Sequence, residues 1–408
     1  MSPAGSATPC RVCGGADSLH TVDFGPLPLT NRFLSIEDEP APTFPAALQQ
    51  CGVCGLIEWS QPAPASEVRA RHAWLSYSEP EPHLDDTVDA LVDAARLGAD
   101  ARILGITYKD DTTLERLVRR GFTSTARLEP ERDLGIGHPL AGLESIQSVF
   151  DRAAGARLAA KLGRFEVVVV RHILEHASDP VAFVEGVAEL LTPHGLVVFE
   201  VPDCERALSR LDWTMPWEEH LSYFTETSIV ATMSRCRLEV VRFQRYPYAT
   251  EDSLVVIARP SASAELRPAV PGASISANPG LLRRYSEGLA PARTRWRERL
   301  ERVRAGGREV TIFGAGHGSI QFVNLLGLGD LVDCFIDDNP NKLGLLVPGS
   351  MRPIVPSRYL ESGAVGLCLL AVRPDAQATV RQRHPSLERS GGEWRSIFPD
   401  SPFESSSA

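Results

Sequence analysis

Short apolar runs alternate with amphipathic segments through the middle of the chain. ARILGI, from Ala101, FEVVVVRHIL, from Phe165, and GLVVFEVPD, from Gly195, have the length and unbroken apolar character of buried strands. The segments LERLVRRGF and VAFVEGVAELL between them carry apolar residues at helical spacing. The alternation predicts a doubly wound α/β domain with a parallel sheet. Ligands of such sheets bind beyond the carboxyl ends of the strands, so the residues just after each strand are the candidates for chemistry.

The same pattern returns nearer the C-terminus. REVTIFGAGHGSIQFVNLL, from Arg308, predicts a strand, a glycine-bearing loop and a helix. Its G-x-G-x-G is not the complete dinucleotide signature, but Asp337 in the following IDDNP stands at about the distance expected of a ribose-contacting acid. A glycine turn that serves only packing is the alternative. A Pro-, Ala- and Ser-rich stretch before this region has the composition of a linker, and the terminal FESSSA is predicted to be disordered.

Composition excludes several classes of protein. The 408 residues are 43% hydrophobic and 23% charged, with a formal net charge of −10. No apolar run approaches the roughly 18 residues of a membrane span, so membrane insertion is not expected. The acidic balance argues against a nucleic-acid partner. The first residues lack a basic region followed by an apolar stretch, so the predicted location is the cytoplasm.

The eight cysteines are predicted to be metal ligands or buried thiols rather than disulfides. CRVC and CGVCG supply two C-x-x-C pairs, and a redox pair or chance are the alternatives to one tetrahedral Zn²⁺ site. No βαβ pattern surrounds either pair, and following glycines suit tight turns, so zinc is favoured. A four-cysteine site has no open position, which predicts a structural ion. The expected ligands are Cys10, Cys13, Cys51 and Cys54, and the expected core thiols are Cys204, Cys236, Cys334 and Cys368.

After the first middle-domain strand stands TYKDDTTLE, which contains no G-x-G. Thr112 and Glu115 have the spacing of a capping box, and Asp110 and Asp111 crowd a helix N-terminus. Two carboxylates here would repel a pyrophosphate, which disfavours NAD, and could favour a cationic ligand. Glu129, near the end of the second strand, lies where a ribose-binding acid usually sits, with a solvated acid as the alternative.

RHILEHASDP brings His172, Glu175 and His176 to the carboxyl edge of the sheet, where either histidine could also simply pack or cap.

PWEEHLSYF is denser in chemistry. It offers a base, a carboxylate that could orient it, and aromatic walls, and histidine can act as a general base at neutral pH. A purely structural network is the alternative. The residues concerned are Trp217, Glu218, Glu219, His220 and Tyr223.

Four features together resemble the sugar-nucleotide (NDP-4-keto-hexose) C-methyltransferase family over nearly the whole chain. They are the paired C-x-x-C motifs with PLTNRFL between them, HILEHASDP, EEHLSYFT, and IFGAGHGSIQFVNLLGLG leading to IDDNPNKLG. The resemblance implies an α/β protein with a small N-terminal zinc-binding module followed by two Rossmann-like doubly wound domains. The expected bounds are 1–75 for the zinc module, 76–260 for the S-adenosyl-L-methionine (SAM) domain, 261–280 for a linker and 281–400 for the C-terminal domain.

The resemblance also implies a reaction. A methyl group of SAM would be transferred to a carbon beside the keto group of a nucleotide-activated deoxysugar, through base-assisted enolate formation. His220 would be the base, Glu219 its hydrogen-bond orienter, His176 a donor near the enolate oxygen and Tyr77 an active-site tyrosine. Zinc would lock the N-terminal module so that the segment holding Tyr77 reaches across the site.

Further expectations concern the remaining contacts. The enzyme is expected in deoxysugar or antibiotic biosynthesis, as a monomer or small homo-oligomer with a nucleotide sugar as its partner. The expected catalytic set also contains Trp217. The expected cofactor contacts are Gly105, Thr107, Lys109, Asp110, Glu129 and His172, and the expected substrate contacts are Tyr223, Gly314, Gly316, His317 and Asp337.

Departures from the family pattern leave other functions open. TYKDDTT replaces a glycine-bearing acidic loop, Trp217 stands where a tyrosine is expected, and Glu251 and Asp252 replace glycines. One alternative is an epimerase or isomerase on a sugar nucleotide with a diverged SAM site. Another is a non-catalytic sugar-nucleotide-binding protein.

Overall fold

The protein is described from a computed structural model. It describes residues 8–69, 71–72, 74–75, 79–95, 97–138, 142–261, 278–399 and 401–403. The predicted active-site residue Tyr77 lies outside the described residues, as does most of the predicted linker 261–280.

Strands and helices alternate along most of the described chain. The strands are β1 (Ser18–Pro28), β2 (Thr43–Cys51), β3 (Ile57–Trp59), β4 (Arg102–Gly105), β5 (Ser124–Arg127), β6 (Phe165–Arg171), β7 (Leu191–Asp203), β8 (Ser222–Tyr223), β9 (Leu238–Tyr246), β10 (Asp252–Pro260), β11 (Glu309–Phe313), β12 (Cys334–Ile336), β13 (Ile354–Val355), β14 (Val365–Leu370) and β15 (Glu393–Ser396).

The α-helices are α1 (Ala65–Val68), α2 (Leu84–Ala95), α3 (Asp111–Arg119), α4 (Pro130–Leu134), α5 (Leu143–Gln147), α6 (Arg152–Leu162), α7 (Pro180–Glu189), α8 (Cys204–Ser209), α9 (Glu226–Arg235), α10 (Leu281–Ala305), α11 (His317–Leu326), α12 (Pro374–Arg383) and α13 (Ser386–Arg389). Short 3₁₀ helices cover Tyr108–Asp110, Leu174–His176 and Ser357–Ser362.

The N-terminal sheet has the order β1-β2-β3-β8, so its last strand comes from a distant part of the chain. β8 pairs antiparallel with β3, with Ile57 opposite Tyr223. Trp59 is fully buried at the centre of this sheet, with the rings of Phe24 and Phe44 edge-on to it. The segment that holds His220 therefore leads directly into the sheet of the N-terminal module.

The middle sheet has the order β5-β4-β6-β7-β10-β9. β5, β4, β6 and β7 pair in parallel, as the apolar runs predict, whereas β10 and β9 are antiparallel additions at one edge. The predicted strand from Gly195 begins earlier than its apolar run, since β7 starts at Leu191 and includes Pro193. On one face, α6 and α7 cross closely at two glycines, since a Cβ on Gly155 would lie 2.1 Å from the carbonyl oxygen of Gly186.

The C-terminal sheet is parallel throughout, with the order β13-β12-β11-β14-β15. The long helix α10 carries Leu282 and Tyr285 into a core that also contains Trp59 and Ile312. The Tyr285 hydroxyl donates to the carbonyl of Asp212 in the middle part of the chain, at 2.8 Å. The predicted α/β class, with a small cysteine module and two Rossmann-like sheets, is confirmed. Within the described residues, every helix is too short or too polar to cross a bilayer.

Candidate active site

The four predicted zinc ligands meet at one point. Sγ of Cys10 lies 3.5 Å from that of Cys54, Sγ of Cys13 lies 3.4 Å from that of Cys51, and all four sulfurs lie within 4.8 Å of one another. The amide of Gly15 points at the Cys13 sulfur from 3.4 Å. These sulfurs fit a tetrahedral Zn²⁺, whose bonds to sulfur are about 2.3 Å long. The other four cysteines are buried, as expected of core thiols.

The loop after β1 connects this module to the candidate catalytic segment. Thr30 donates to Oε1 of Glu218 from its amide at 2.5 Å and its hydroxyl at 2.9 Å. Asn31 donates through Nδ2 to Oε1 of Glu219 at 2.9 Å. The indole N–H of Trp59 donates to the carbonyl of Trp217 at 3.0 Å. The zinc module therefore forms one wall around the EEH segment.

A cavity of about 350 Å³ lies between the carboxyl edge of the middle sheet and the C-terminal domain. It is lined by His172, Trp217 and His220 from one side and by Gly316 and His317 from the other. The Trp217 and His317 rings stack, with centroids 4.3 Å apart and planes at 16°. Chemically competent residues from both domains thus face one enclosed space.

His220 lies at this junction as a neutral base. Burial, and then the positive charge of neighbouring His176, hold the pKa of His220 well below its ordinary value. Its ring centroid lies 4.8 Å from that of His176 and 4.7 Å from that of Trp217. A neutral imidazole beside a cavity can accept a proton at neutral pH.

His176 has the opposite electrostatic environment. Burial by itself would lower the pKa of His176, but the carboxylate of Glu144, 2.5 Å from Nδ1, raises it above the ordinary value. The ring is 3% exposed. Two histidines whose pKa values are displaced in opposite directions thus lie edge to face, which is the arrangement expected of a base and a proton-bearing donor.

Glu219 does not pair with His220 as expected. No hydrogen bond joins the side chains of Glu219 and His220 in the described residues. The Glu219 carboxyl accepts a hydrogen bond from Asn31, and one of its oxygens lies within 4.8 Å of a carboxylate oxygen of Glu144 and a ring nitrogen of His176. Burial, and then the nearby charge of Glu144, raise the pKa of Glu219 well above its ordinary value. The orienting role expected of Glu219 is therefore corrected: this carboxyl faces His176.

The carboxylate that lies near His220 belongs to Glu175. One of its oxygens is within 4.8 Å of ring nitrogens of both His176 and His220, and another contact joins it to Nδ1 of His172 at 3.4 Å. Glu175 is 1% exposed, and neither carboxylate oxygen has a hydrogen-bond partner among the described residues.

The cofactor loop after β4 is closed on itself. Asp110 is fully buried and accepts from the amides of Ile106 at 2.7 Å and Thr107 at 2.8 Å, and from that of Arg171 at 2.8 Å. Burial raises its pKa to about 7. Gly105, at the end of β4, packs under this side chain, because a Cβ there would lie 2.9 Å from Cβ of Asp110. Asp110 therefore replaces ligand contacts at two loop amides.

The capping box expected at Thr112 and Glu115 is wrong. Thr107 and Asp110 form the box instead, one turn earlier, and Thr112 lies inside α3 with its hydroxyl donating to Glu81 at 2.6 Å. Lys109 points away from the loop and pairs with Glu79 at 2.8 Å.

The remaining predicted cofactor contacts lie on two sides of this loop. His172 has φ of +49° and holds Glu200 through Nε2 at 3.1 Å. Burial by itself would lower the pKa of His172, but Glu79 and then Glu200 raise it to about 10. The Glu129 side chain is 49% exposed beyond β5, with Arg127 at 3.4 Å, so its carboxylate is accessible to a ribose.

The predicted substrate contacts divide into two groups. Gly316 and His317 begin α11 and line the cavity, and Gly314 has φ of +106°, which allows the tight turn after β11. Asp337 lies beneath this loop, where it accepts from the amide of Ala315 at 3.1 Å and from Lys342 at 2.8 Å. Its carboxylate is therefore engaged in holding the loop.

Tyr223 lies beneath the catalytic segment and is 3% exposed. Its hydroxyl donates to the carbonyl of Trp217 at 2.9 Å and accepts from the amide of the same residue at 2.8 Å. The expectation that Tyr223 contacts the substrate is therefore corrected: its hydroxyl is used to fold the turn.

A cationic methyl donor fits the charge of the site. Glu79 and Glu251 line the cavity, and burial, followed by the charge of Glu79, raises the pKa of Glu251 to about 8. An ammonium or sulfonium group would stabilise the charged form of such a carboxyl. With two loop amides engaged by Asp110, carbonyls and side chains would hold the cofactor.

Sequence reasoning missed Glu144 and Asn31. Glu144 lies in a short segment without any motif, so nothing in the sequence indicated its contact with His176. Asn31 stands in PLTNRFL, which is recognisable as a family segment, but its partner Glu219 is 188 residues away.

Comparisons with known proteins agree with the three-part architecture. Family models match as a zinc binding domain over residues 10–68, a methyltransferase domain over 79–242 and a C-methyltransferase C-terminal domain over 275–399. The C-methyltransferase NovU of Streptomyces niveus is 29% identical over 363 residues, which are 85% of this chain and 84% of NovU.

Two further similarities are shorter. A ubiquinone biosynthesis O-methyltransferase of Caulobacter sp. (strain K31) is 31% identical over 98 residues, 24% of this chain and 39% of that protein. The solved structure of the N-methyltransferase NodS of Bradyrhizobium japonicum has 16% identity and a TM-score of 0.29, with 45% of this chain and 99% of that one covered.

The domain matches indicate the cofactors. Methyltransferase domains use SAM, and the zinc-binding match coincides with the four clustered cysteines. The chain therefore joins a zinc-binding domain, a SAM-dependent methyltransferase domain and a C-methyltransferase C-terminal domain, and it is similar to a C-methyltransferase over 85% of its length.

Proposed function

We propose that the protein transfers a methyl group from SAM to a carbon beside the keto group of a nucleotide-activated deoxysugar. The observation that carries this proposal is the pair of neighbouring histidines. Burial and the charge of His176 hold the pKa of His220 well below its ordinary value, whereas the carboxylate of Glu144, 2.5 Å from Nδ1, raises the pKa of His176 against the effect of burial. Proton removal from a carbon beside a carbonyl needs such a base together with a donor at the developing oxyanion.

The residues of the chain would act in a fixed order. His220 takes the proton from the carbon, and the electron pair moves into the enolate, whose oxygen accepts a hydrogen bond from His176. This carbon would then attack the methyl group that bound SAM would supply, which would restore the ketone and release a neutral thioether. His220 then releases its proton to water.

The cavity between the domains suits a nucleotide sugar. Gly316 and His317 begin a ten-residue helix, and Arg373 also lines this side of the cavity. A helix N-terminus and a guanidinium both favour phosphate groups. The stacked rings of Trp217 and His317 form a flat wall against which a sugar ring can lie.

The test uses the zinc-loaded protein with SAM and a panel of NDP-4-keto sugars, and mass spectrometry reads out one added methyl group. His220→Ala should keep zinc and the folded state but lower turnover by about 10²- to 10⁴-fold. His194→Ala, at an exposed histidine, is the matched control and should retain activity. Solvent deuterium incorporation into a sugar without methylation would instead indicate an epimerase or isomerase.

A further inference from the structure

Glu175 is a buried carboxylate whose oxygens accept no hydrogen bond of standard geometry in the described part of the chain. Its 1% exposure removes it from water, and neither oxygen accepts a hydrogen bond. A buried carboxylate is stabilised by positive charge beside it. Nδ1 of His172, whose pKa is raised to about 10, lies 3.4 Å from Glu175, and ring nitrogens of His176 and His220 lie within 4.8 Å of it.

We propose that Glu175 is the positioning residue of the base: its carboxylate orients His220 and stabilises the imidazolium that forms when His220 removes the substrate proton. This inference rests on the proposed function, in which His220 is the base. A carboxylate oxygen of Glu175 and a ring nitrogen of His220 lie within 4.8 Å of each other. Catalytic contacts of this kind are often long without substrate and shorten when substrate is bound. His220 becomes positively charged only when it has removed the substrate proton, so the carboxylate of Glu175 stabilises the reacting state rather than the resting enzyme.

The two neighbouring carboxyls are already engaged elsewhere. Glu219 accepts from Asn31, and Glu144 accepts from His176. Glu175 belongs to the 3₁₀ helix Leu174–His176, which immediately follows β6. Glu175 thus follows the carboxyl end of β6 and approaches His220, whereas Glu219 precedes His220 in the chain and accepts from Asn31 of the zinc module.

His220 is surrounded mainly by cationic or protonatable groups. They approach from the turn after β6, from α11 and from the cofactor loop, and each lowers the pKa of His220: His176, His317, His172 and Lys109. Glu175 is the carboxylate that opposes them at the ring nitrogens. Removing its charge should leave His220 a weaker base, because among the described residues Glu175 is the carboxylate with an oxygen within 4.8 Å of a His220 ring nitrogen.

Glu175, His176 and His220 could also be read as a metal site with two histidines and a carboxylate. A metal bound through His220 would take the lone pair that a base needs, and Nδ1 of His176 is already bonded to Glu144. Metal binding is therefore an outcome that would overturn the proposal.

The decisive experiment compares E175Q with E219Q, using E287Q on the exposed face of α10 as the matched control. The pKa of His220 is followed by NMR in histidine-labelled, zinc-loaded protein, with the signal assigned by His220→Ala. Turnover is followed against pH. E175Q should lower the pKa of His220 by about one unit, move the acid limb of the kcat profile to lower pH, and reduce kcat about 10- to 100-fold with KM unchanged. E175D should recover part of the rate, and E287Q should match the wild type.

Each result decides the inference. A His220 pKa that stays in place in folded E175Q, or one that moves in E219Q instead, overturns it. Binding of Mn²⁺ or Co²⁺ to wild-type protein that disappears in E175Q also overturns it. If wild-type protein methylates no sugar in the panel, the proposed function fails, but the NMR titration still reports whether Glu175 controls His220.

Discussion

Replacing Asn31 with alanine should destabilise the protein although Asn31 touches neither zinc nor the cavity. Nδ2 of Asn31 donates both to Oε1 of Glu219 at 2.9 Å and to the carbonyl of Val68 at 2.8 Å. The residue is 2% exposed, so water cannot replace the lost donor. The substitution leaves two buried acceptors without a partner between the zinc module and the catalytic segment.

The magnitude follows from those two contacts. Burial and the nearby charge of Glu144 raise the pKa of Glu219 well above its ordinary value, which favours the neutral carboxyl, so the lost bond is counted as an ordinary one rather than a charge-assisted one. An unsatisfied buried acceptor costs about 1 to 3 kcal/mol. Two moderate losses give about 2 to 3 kcal/mol for Asn31→Ala, whereas Asn341→Ala on the exposed surface should stay within about 0.5 kcal/mol of the wild type.

Chemical denaturation followed by tryptophan fluorescence measures this difference, because Trp59 and Trp217 both lie at the affected boundary. Zinc content should be measured on the same samples, since a variant that has lost zinc would report on the metal instead. If zinc-loaded Asn31→Ala unfolds within about 0.5 kcal/mol of the wild type, the contact is not energetically important and the reasoning is refuted.

Three other changes have definite expected outcomes. Chelation of zinc should alter tryptophan fluorescence and abolish methyl transfer until zinc is restored, because β3 of the module pairs with β8 beside His220. Metal-free protein with full activity would contradict this expectation. Glu251→Gln should stabilise the protein relative to the wild type increasingly as pH rises from 4.5 to about 8, because the pKa of Glu251 is raised in the folded state and its ionisation opposes folding. Denaturation at several pH values should show a gain in the free energy of unfolding on the order of 2 kcal/mol above pH 8 and no gain below pH 4. Gly155→Ala should lower the free energy of unfolding by about 2 to 3 kcal/mol, because the added Cβ would lie 2.1 Å from the carbonyl oxygen of Gly186. Gly137→Ala has open space around its Cβ and should be tolerated, so equal thermal midpoints for the two variants would argue against the close crossing of α6 and α7.

The sequence predicted the features that depend on local pattern. Apolar runs of four to eight residues identified the buried strands, and paired C-x-x-C motifs identified the zinc ligands, because strand burial and ligand geometry both leave short-range signals. The same reasoning placed His176 at the carboxyl edge of the middle sheet, and the family resemblance implied that His220 belongs to the same site. Their opposite protonation tendencies depend on Glu144, whose approach is a matter of tertiary packing.

The errors in the expected site have a common physical origin. Neighbours of a side chain in the sequence are not always its neighbours in space. Glu219 directly precedes His220, yet it faces Asn31 and Glu144, while Glu175, 45 positions earlier, lies beside the base. Asp110 was expected to face a ligand, but backbone amides left free by a loop without glycines needed an acceptor, and the buried carboxylate supplied it.

The zinc module contacts the candidate active site directly, in addition to the expected role of supporting the segment that holds Tyr77. Thr30 and Asn31 place both carboxyls of the EEH segment, and Trp59 holds the carbonyl of Trp217. These contacts require the loop after β1 and the strand β3 to keep a fixed spacing. The four cysteines join the start of β1 to the end of β2, since Cys10 and Cys13 precede β1, Cys51 ends β2 and Cys54 follows it. A closed metal site that takes no part in bond-making can therefore influence the geometry of the carboxyls around the base, because the metal holds together the β1–β2 hairpin from which Thr30 and Asn31 extend to them.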